Sequence, residues 1–321
     1  MSIPKRHPFP FDPTCGLTLD ALQAIRPPAE APGYDAFWQA RFRNARAVDP
    51  QPVVTLSDAA HLKWMVQELS YTSTDGFPIG GWLLLPRQGA VRRGLIVGHG
   101  YGGRDAPDLD FPVENTAILF PCFRGLSRSA RPPISPEASW HVLHDIDKPD
   151  SYVIGGCVED VWVAATVLCQ LFPDVKGGIG YSGISFGGGI GALALPYDDR
   201  IDRGHLVVPT FGNRPLWMTL PSIGSANAVQ AYGRNHPDVL QTLALFDAAT
   251  AAARITVPML VAVARFDPSV APPCQFTIAN ILQSSENNEI FILDAGHFDY
   301  PGQKAQASAL MAKVGRFFRT P

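Results

Sequence analysis

Cysteine is scarce in this 321-residue chain. The five, Cys15, Cys122, Cys157, Cys169 and Cys274, are odd in number and form no Cys-x-x-Cys pair. That argues against a disulfide-built scaffold and a zinc knuckle, and leaves buried free thiols as the expectation. Charge of one sign is equally lacking: 26 Lys and Arg against 29 Asp and Glu give a net −3. Without a basic stripe or a charged tail, nothing points to nucleic acid or an anionic membrane as a partner. No apolar run reads as a membrane span. The stretch Met1-Ser2-Ile3-Pro4-Lys5-Arg6-His7-Pro8 lacks the apolar centre of a secretory signal, so a cytoplasmic location is expected. What the chain does have is apolar content, 46% of its residues, enough for a large core.

The pattern along the chain is that of an α/β protein, and one domain over 1–321 is expected. The proline-rich first 33 residues read as an arm laid over the surface. Tyr34, Trp38 and Phe42 recur every four residues and predict an amphipathic helix over 35–46, so 1–50 forms an N-terminal arm and helix. Two β runs, Trp64 to Tyr71 and Pro78 to Leu85, flank the turn signal Thr74-Asp75-Gly76 and predict an antiparallel hairpin. Short apolar strands then alternate with helices. The strands run over Gly94–Val97, Thr116–Phe120, Gly177–Tyr181, Leu206–Val208, Met259–Ala264 and Ile290–Leu293. Such alternation predicts a mostly parallel sheet with helices on both faces. Between Phe211 and Thr250 the rhythm stops, and 211–250 reads as a cap-like insertion over the carboxyl edge of the sheet.

Ligands of open α/β sheets bind outside the carboxyl ends of the strands. Four strands here end in residues that can do chemistry: His99-Gly100-Tyr101, Ser185, Asp267 and His297. Ser185 lies in Gly183-Ile184-Ser185-Phe186-Gly187, the G-x-S-x-G pattern of a nucleophile elbow, between a strand and a helix. Ser185, Asp267 and His297 follow in the order that this fold uses. A serine is a weak nucleophile until a base takes its proton. Imidazole titrates near neutrality and can do so, and a carboxylate fixes its tautomer. Asp247 is the fallback acid. The backbone N–H of Phe186 and that of Tyr101 are the candidate donors to an oxyanion, and His99 is expected to brace the Tyr101 loop.

Two other patterns compete. Gly178-Ile179-Gly180-Tyr181-Ser182-Gly183 spells G-x-G-x-x-G after a strand, but a dinucleotide site wants an acid at the end of the next strand. Asp198 and Asp199 fall before that strand. His141, His144, Asp145 and Asp147 are potential metal ligands, yet they sit in an irregular proline-containing stretch, so a polar loop is the reading there.

Taken together, these residues resemble the acetyl xylan esterase/cephalosporin C deacetylase family, carbohydrate esterase family seven, of the α/β-hydrolase fold. The likeness covers most of the chain. It runs through Tyr34-Asp35-Ala36-Phe37-Trp38, Asp75-Gly76-Phe77-Pro78, His99-Gly100-Tyr101, Phe123-Arg124-Gly125, Ser185, Asp267 with Pro272-Pro273, and Gly296-His297. The resemblance implies a serine esterase acting on small-acyl esters through an acyl-enzyme, with no metal or organic cofactor. It also implies a small-molecule ester as partner, and a homo-oligomer. Arg124, Trp217 and Phe298 are the expected substrate-binding side chains. The chain departs from the family at three places, where Phe186, Leu126 and Phe298 stand for polar residues. That weakens the implied sugar specificity and leaves two alternatives: another serine hydrolase (a peptidase or lactonase) on the same fold, or a non-catalytic hydrolase-like binding protein.

Overall fold

A computed structural model describes residues 3–4, 6–175 and 177–319. Helix α1 (Leu19–Gln23) is capped by the Thr18 side chain, which accepts from the Ala21 N–H. Its Leu22 is fully buried, and Asn280 donates to the carbonyls of Leu22 and Ile25. This corrects the expectation of a purely surface arm: the segment adds a side chain to the core. Helix α2 (Tyr34–Arg46) places Tyr34 and Trp38 in the core, with Phe42 packed against it. Tyr34 Oη and Trp38 Nε1 donate to the carbonyls of Asp247 and Leu245.

Among the described residues the sheet has nine strands, in the order β1-β2-β3-β5-β4-β6-β7-β8-β9. These are β1 (Val53–Ala60), β2 (Trp64–Thr72), β3 (Pro78–Pro86), β4 (Arg93–Gly98), β5 (Thr116–Pro121), β6 (Ile179–Ile184), β7 (Ile201–Val207), β8 (Met259–Ala264) and β9 (Glu289–Leu293). The pairings β1–β2, β2–β3 and β3–β5 are antiparallel, and every other pairing is parallel. The predicted hairpin is β2–β3. β1 was not anticipated: as an edge strand with mostly exposed residues, it lacks a buried alternation. Strands β5 and β8 are buried along their whole length, as continuous apolar runs require in a sheet covered on both faces. From β4 the chain passes to β5 on one side, and from β5 it crosses back to β6 on the other side of β4. That reversal opens a crevice at the carboxyl ends of β4 and β6.

Helices α3 (Ala138–His141), α4 (Val153–Leu171) and α5 (Phe186–Ala194) come before β7. By length and composition α4 could cross a membrane, which corrects the reading that no run has that character. It lies inside the protein instead, with its two acids, Glu159 and Asp160, ion-paired to Arg41 and Arg124. The 211–250 segment forms four short helices, α6 (Arg214–Trp217), α7 (Ser225–Gly233), α8 (Val239–Leu245) and α9 (Ala248–Ala252). Val229, Leu243 and Phe246 join the main core. After β8 come α10 (Pro272–Leu282) and, beyond β9, α11 (Gln303–Arg319). Helix α11 buries Leu310, Val314 and Phe317, whereas Ala307 is exposed.

Candidate active site

Ser185 stands between β6 and α5 with φ +53° and ψ −111°, a conformation that L-residues avoid at a cost of about 1–3 kcal/mol. The flanking glycines make this turn possible. A Cβ on Gly183 would lie 2.4 Å from the Gly187 carbonyl oxygen, and one on Gly187 would lie 2.7 Å from that of His99. Both obstacles are backbone and cannot swing aside. The G-x-S-x-G spacing is therefore a steric condition for seating the end of β6, the start of α5 and the β4 loop together.

Ser185 Oγ and His297 Nε2 are 2.9 Å apart, and His297 Nδ1 is 2.8 Å from Asp267 Oδ2. A carboxylate only accepts, so Nδ1 carries the proton and Nε2 turns its lone pair to the Ser185 hydroxyl. Asp267 is 1% exposed. Its Oδ1 accepts from the Ser269 and Val270 N–H groups, and its Oδ2 also accepts from Gln275 Nε2 at 2.9 Å. Gln275 was missed by sequence reasoning. Its position in the helix that follows Pro272-Pro273 was the only signal. It is fully buried, accepts from the Ala264 N–H and donates to the Val270 carbonyl, so it ties the Asp267 loop to β8. Gly296 lets the histidine loop come close, since a Cβ there would lie 2.5 Å from Asp267 Oδ2. The fallback acid Asp247 sits elsewhere: it caps α9 through Thr250 and accepts from the Arg214 N–H.

Burial pulls the His297 pKa down, but the hydrogen bond and charge of Asp267 outweigh it, and the net shift is upward from 6.5. The acid limb of kcat/KM for a neutral ester should therefore lie above the ordinary imidazole value. Only the neutral ring can accept the serine proton, so activity should fall about tenfold per pH unit below that point. A limb below pH 6 would contradict the assignment of His297 as base.

The serine opens on a cavity of about 300 Å³ bordered by Gly100, Tyr101, Ile184, Thr210, Ser225, Ser269 and His297, among others. No Asp, Glu, Lys or Arg is among its described wall residues. Gly224 and Ser225 are the part of the 211–250 segment that borders it. The β4 loop is close, since a Cβ on Gly100 would lie 3.7 Å from Ser185 Cβ. Phe186 is the first residue of α5, so its N–H has no acceptor within the helix. The Tyr101 and Phe186 rings stack at 4.1 Å and 22°. His99 is buried. Its Nε2 accepts from the Phe123 N–H, and its Nδ1 is 2.7 Å from the Gly100 carbonyl, so it braces the loop. Burial pulls its pKa down to about 4.

The three expected substrate-binding side chains do not border this cavity. Arg124 is buried against Asp160, Ser73 and Thr74, because a desolvated guanidinium needs those acceptors. Trp217, 2% exposed, packs on Phe211 and Arg214. Phe298 packs on Phe9 and Phe266. The Phe186 ring and Leu126 are buried as well, so none of the three departures from the family puts an apolar side chain on the cavity wall. His141, placed in a loop by sequence, ends α3 and is fully buried. Asp145 pairs with Lys148. Among the described residues, no group of three or more His, Cys, Asp and Glu is placed to hold a metal ion.

A family model described as acetyl xylan esterase matches residues 13–311. The chain belongs to the acetyl xylan esterase family. It is a serine carboxylic-ester hydrolase acting on acetyl esters. Its fold is similar to an acetyl xylan esterase from Paenibacillus sp. R4, at a TM-score of 0.78 and 22% identity over 94% of this chain and 99% of that one. Acetyl xylan esterase 1 from Thermoanaerobacterium sp. JW/SL YS485 gives 0.78 at 19% identity over 95% and 99%. An esterase from Pyrococcus furiosus gives 0.58 at 18% identity over 85% and 98%.

Proposed function

We propose that this acetyl xylan esterase family member removes acetyl groups from neutral, hydroxylated alcohols such as sugars, with Ser185, His297 and Asp267 as its catalytic residues. The observation that carries the reading is the hydrogen-bonded series from Ser185 through His297 to Asp267 at the wall of an uncharged cavity. His297 takes the Ser185 proton as Oγ attacks the ester carbonyl, and the N–H groups of Tyr101 and Phe186 receive the oxyanion. The imidazolium returns its proton to the departing alcohol. Water, deprotonated by the same ring, then releases acetate from the acyl-enzyme. The cavity measures about 300 Å³. Its lack of charge disfavours substrates with a free ammonium or carboxylate beside the scissile bond, which sets a peptidase of free chain ends below an ester hydrolase. The homo-oligomer and the cytoplasmic location expected from sequence belong to the same reading. Light scattering and fractionation check them.

Fluorophosphonate labelling followed by peptide mapping tests the mechanism. The wild type should label at Ser185, and Ser185→Ala should stay unlabelled and lose turnover of an acetyl ester. A folded wild type that labels at another residue, or at none, would overturn it. Comparing acetylated sugars with lactones and peptides then tests the substrate class.

A further inference from the structure

His141 connects the two residues that bear the candidate oxyanion donors to a fixed point in the core. Its Nε2 lies 2.9 Å from the Arg124 carbonyl oxygen. A carbonyl only accepts, so the proton is on Nε2 and Nδ1 holds a lone pair. That lone pair faces Tyr101 Oη at 3.3 Å, so the tyrosine hydroxyl donates to it. The imidazole also meets the Tyr101 ring edge-on at 5.4 Å and the Phe186 ring at 5.8 Å. Burial keeps it neutral at working pH, its pKa pulled down to about 4. The anchor behind it is rigid. Arg124 is held to Asp160 at 2.7 Å and to Thr74 at 2.8 Å. Gly125, at φ +83°, leaves room for the approach: a Cβ there would lie 2.3 Å from Ile134 Cγ2 and 3.1 Å from His141 Cδ2.

We infer that His141 is a positioning residue for the oxyanion hole. Through the Tyr101 hydroxyl and the Tyr101–Phe186 stack, it fixes where both backbone N–H groups point. The inference rests on the proposed roles of those N–H groups. A phenylalanine would fill the same space and keep the edge-on contacts, so a packing role alone would not need an imidazole. The hydrogen-bonding role needs this one tautomer: donor to Arg124, acceptor from Tyr101.

The test pairs His141→Phe with Tyr101→Phe. Each should lower kcat for a neutral acetyl ester about 10- to 100-fold, a fraction of what losing an oxyanion donor outright costs. KM should change less than about twofold, and a boronic acid that mimics the tetrahedral intermediate should bind more weakly in proportion to kcat/KM. The acid limb should not move, because His297 and Asp267 are untouched. The double variant should lose no more than either single one, since both remove the same bond. Tyr101→Phe is the milder change and serves if His141→Phe does not fold. Multiplying losses, or an unchanged kcat in a folded variant, would overturn the inference. If the wild type labels at Ser185 while His141→Phe turns over normally, this inference alone fails. A wild type that does not label at Ser185 removes the reading beneath it.

Discussion

Asp267→Asn is expected to fold and to lose about 10 000-fold in kcat. The reason lies in which atoms can accept. Asp267 Oδ1 receives two backbone N–H groups, from Ser269 and Val270, so the asparagine carbonyl settles there. The amide nitrogen then takes the Oδ2 place, facing His297 Nδ1 and Gln275 Nε2, both of which donate to Oδ2 in the wild type. Two donors cannot share that contact with Nδ1. The imidazole answers by moving its proton to Nε2 and accepting on Nδ1. The Ser185 hydroxyl then faces an N–H, which cannot take its proton. The acid limb should also shift downward. The carboxylate that raised the His297 pKa is gone and burial, which lowers it, remains. Circular dichroism and a pH–rate profile from 5 to 9 check both parts. Turnover within about tenfold of wild type would mean that another group holds the histidine. Asp247, engaged with Thr250 and Arg214, would need a rearranged loop to do so.

How much of this was readable beforehand depended on whether a residue's role follows from backbone or from side-chain direction. Ser185, Asp267 and His297 were found because each closes a strand whose apolar run is visible, and strand ends gather at one edge of the sheet. Tyr101 and Phe186 could be named as candidate donors because an N–H belongs to any residue at that position. Of the side chains expected at the substrate, Arg124 and Phe298 sit in or beside the motifs, and Trp217 lies in the cap-like insertion. Outside a clear helical or strand period the sequence does not say toward which side a side chain turns, and all three turn inward or toward the N-terminal arm. Gln275 and His141 act through contacts across 8 and 40 residues, on Asp267 and Tyr101, and no spacing rule marks them. The helices of 211–250 are 4 to 9 residues long, too short for a 3.6-residue period to show. In α4 the pair Glu159-Asp160 broke what is otherwise an apolar helix, and only the partners explain it.

Those partners make Asp160→Asn the variant with the largest expected loss of stability, about 3–5 kcal/mol by urea unfolding. Arg41, Arg124, Glu159 and Asp160 are all buried, two charges of each sign. Asp160 accepts from Ser73 Oγ and from the Arg124 guanidinium on Oδ1, and from the Arg124 N–H on Oδ2. Burial opposes the Arg124 charge, but the charge and hydrogen bonds of Asp160 more than offset it, so the Arg124 pKa is raised. The other acid is a poorer counterion: burial pushes Glu159 upward despite Arg41. Asparagine would keep the size and lose the charge, leaving one excess cation in a dry interior and an N–H₂ facing donors. The exposed pair between Arg128 and Glu68 is the control, because solvent screens it, and Glu68→Gln should leave the unfolding midpoint unchanged. The Asp160 loss should reach the site as well. The Arg124 carbonyl is the acceptor for His141, so kcat per folded molecule should fall in the same direction as in His141→Phe. A loss below about 1 kcal/mol would show that the cluster repacks around a missing charge, and with it the rigid anchor assigned to Arg124 would go.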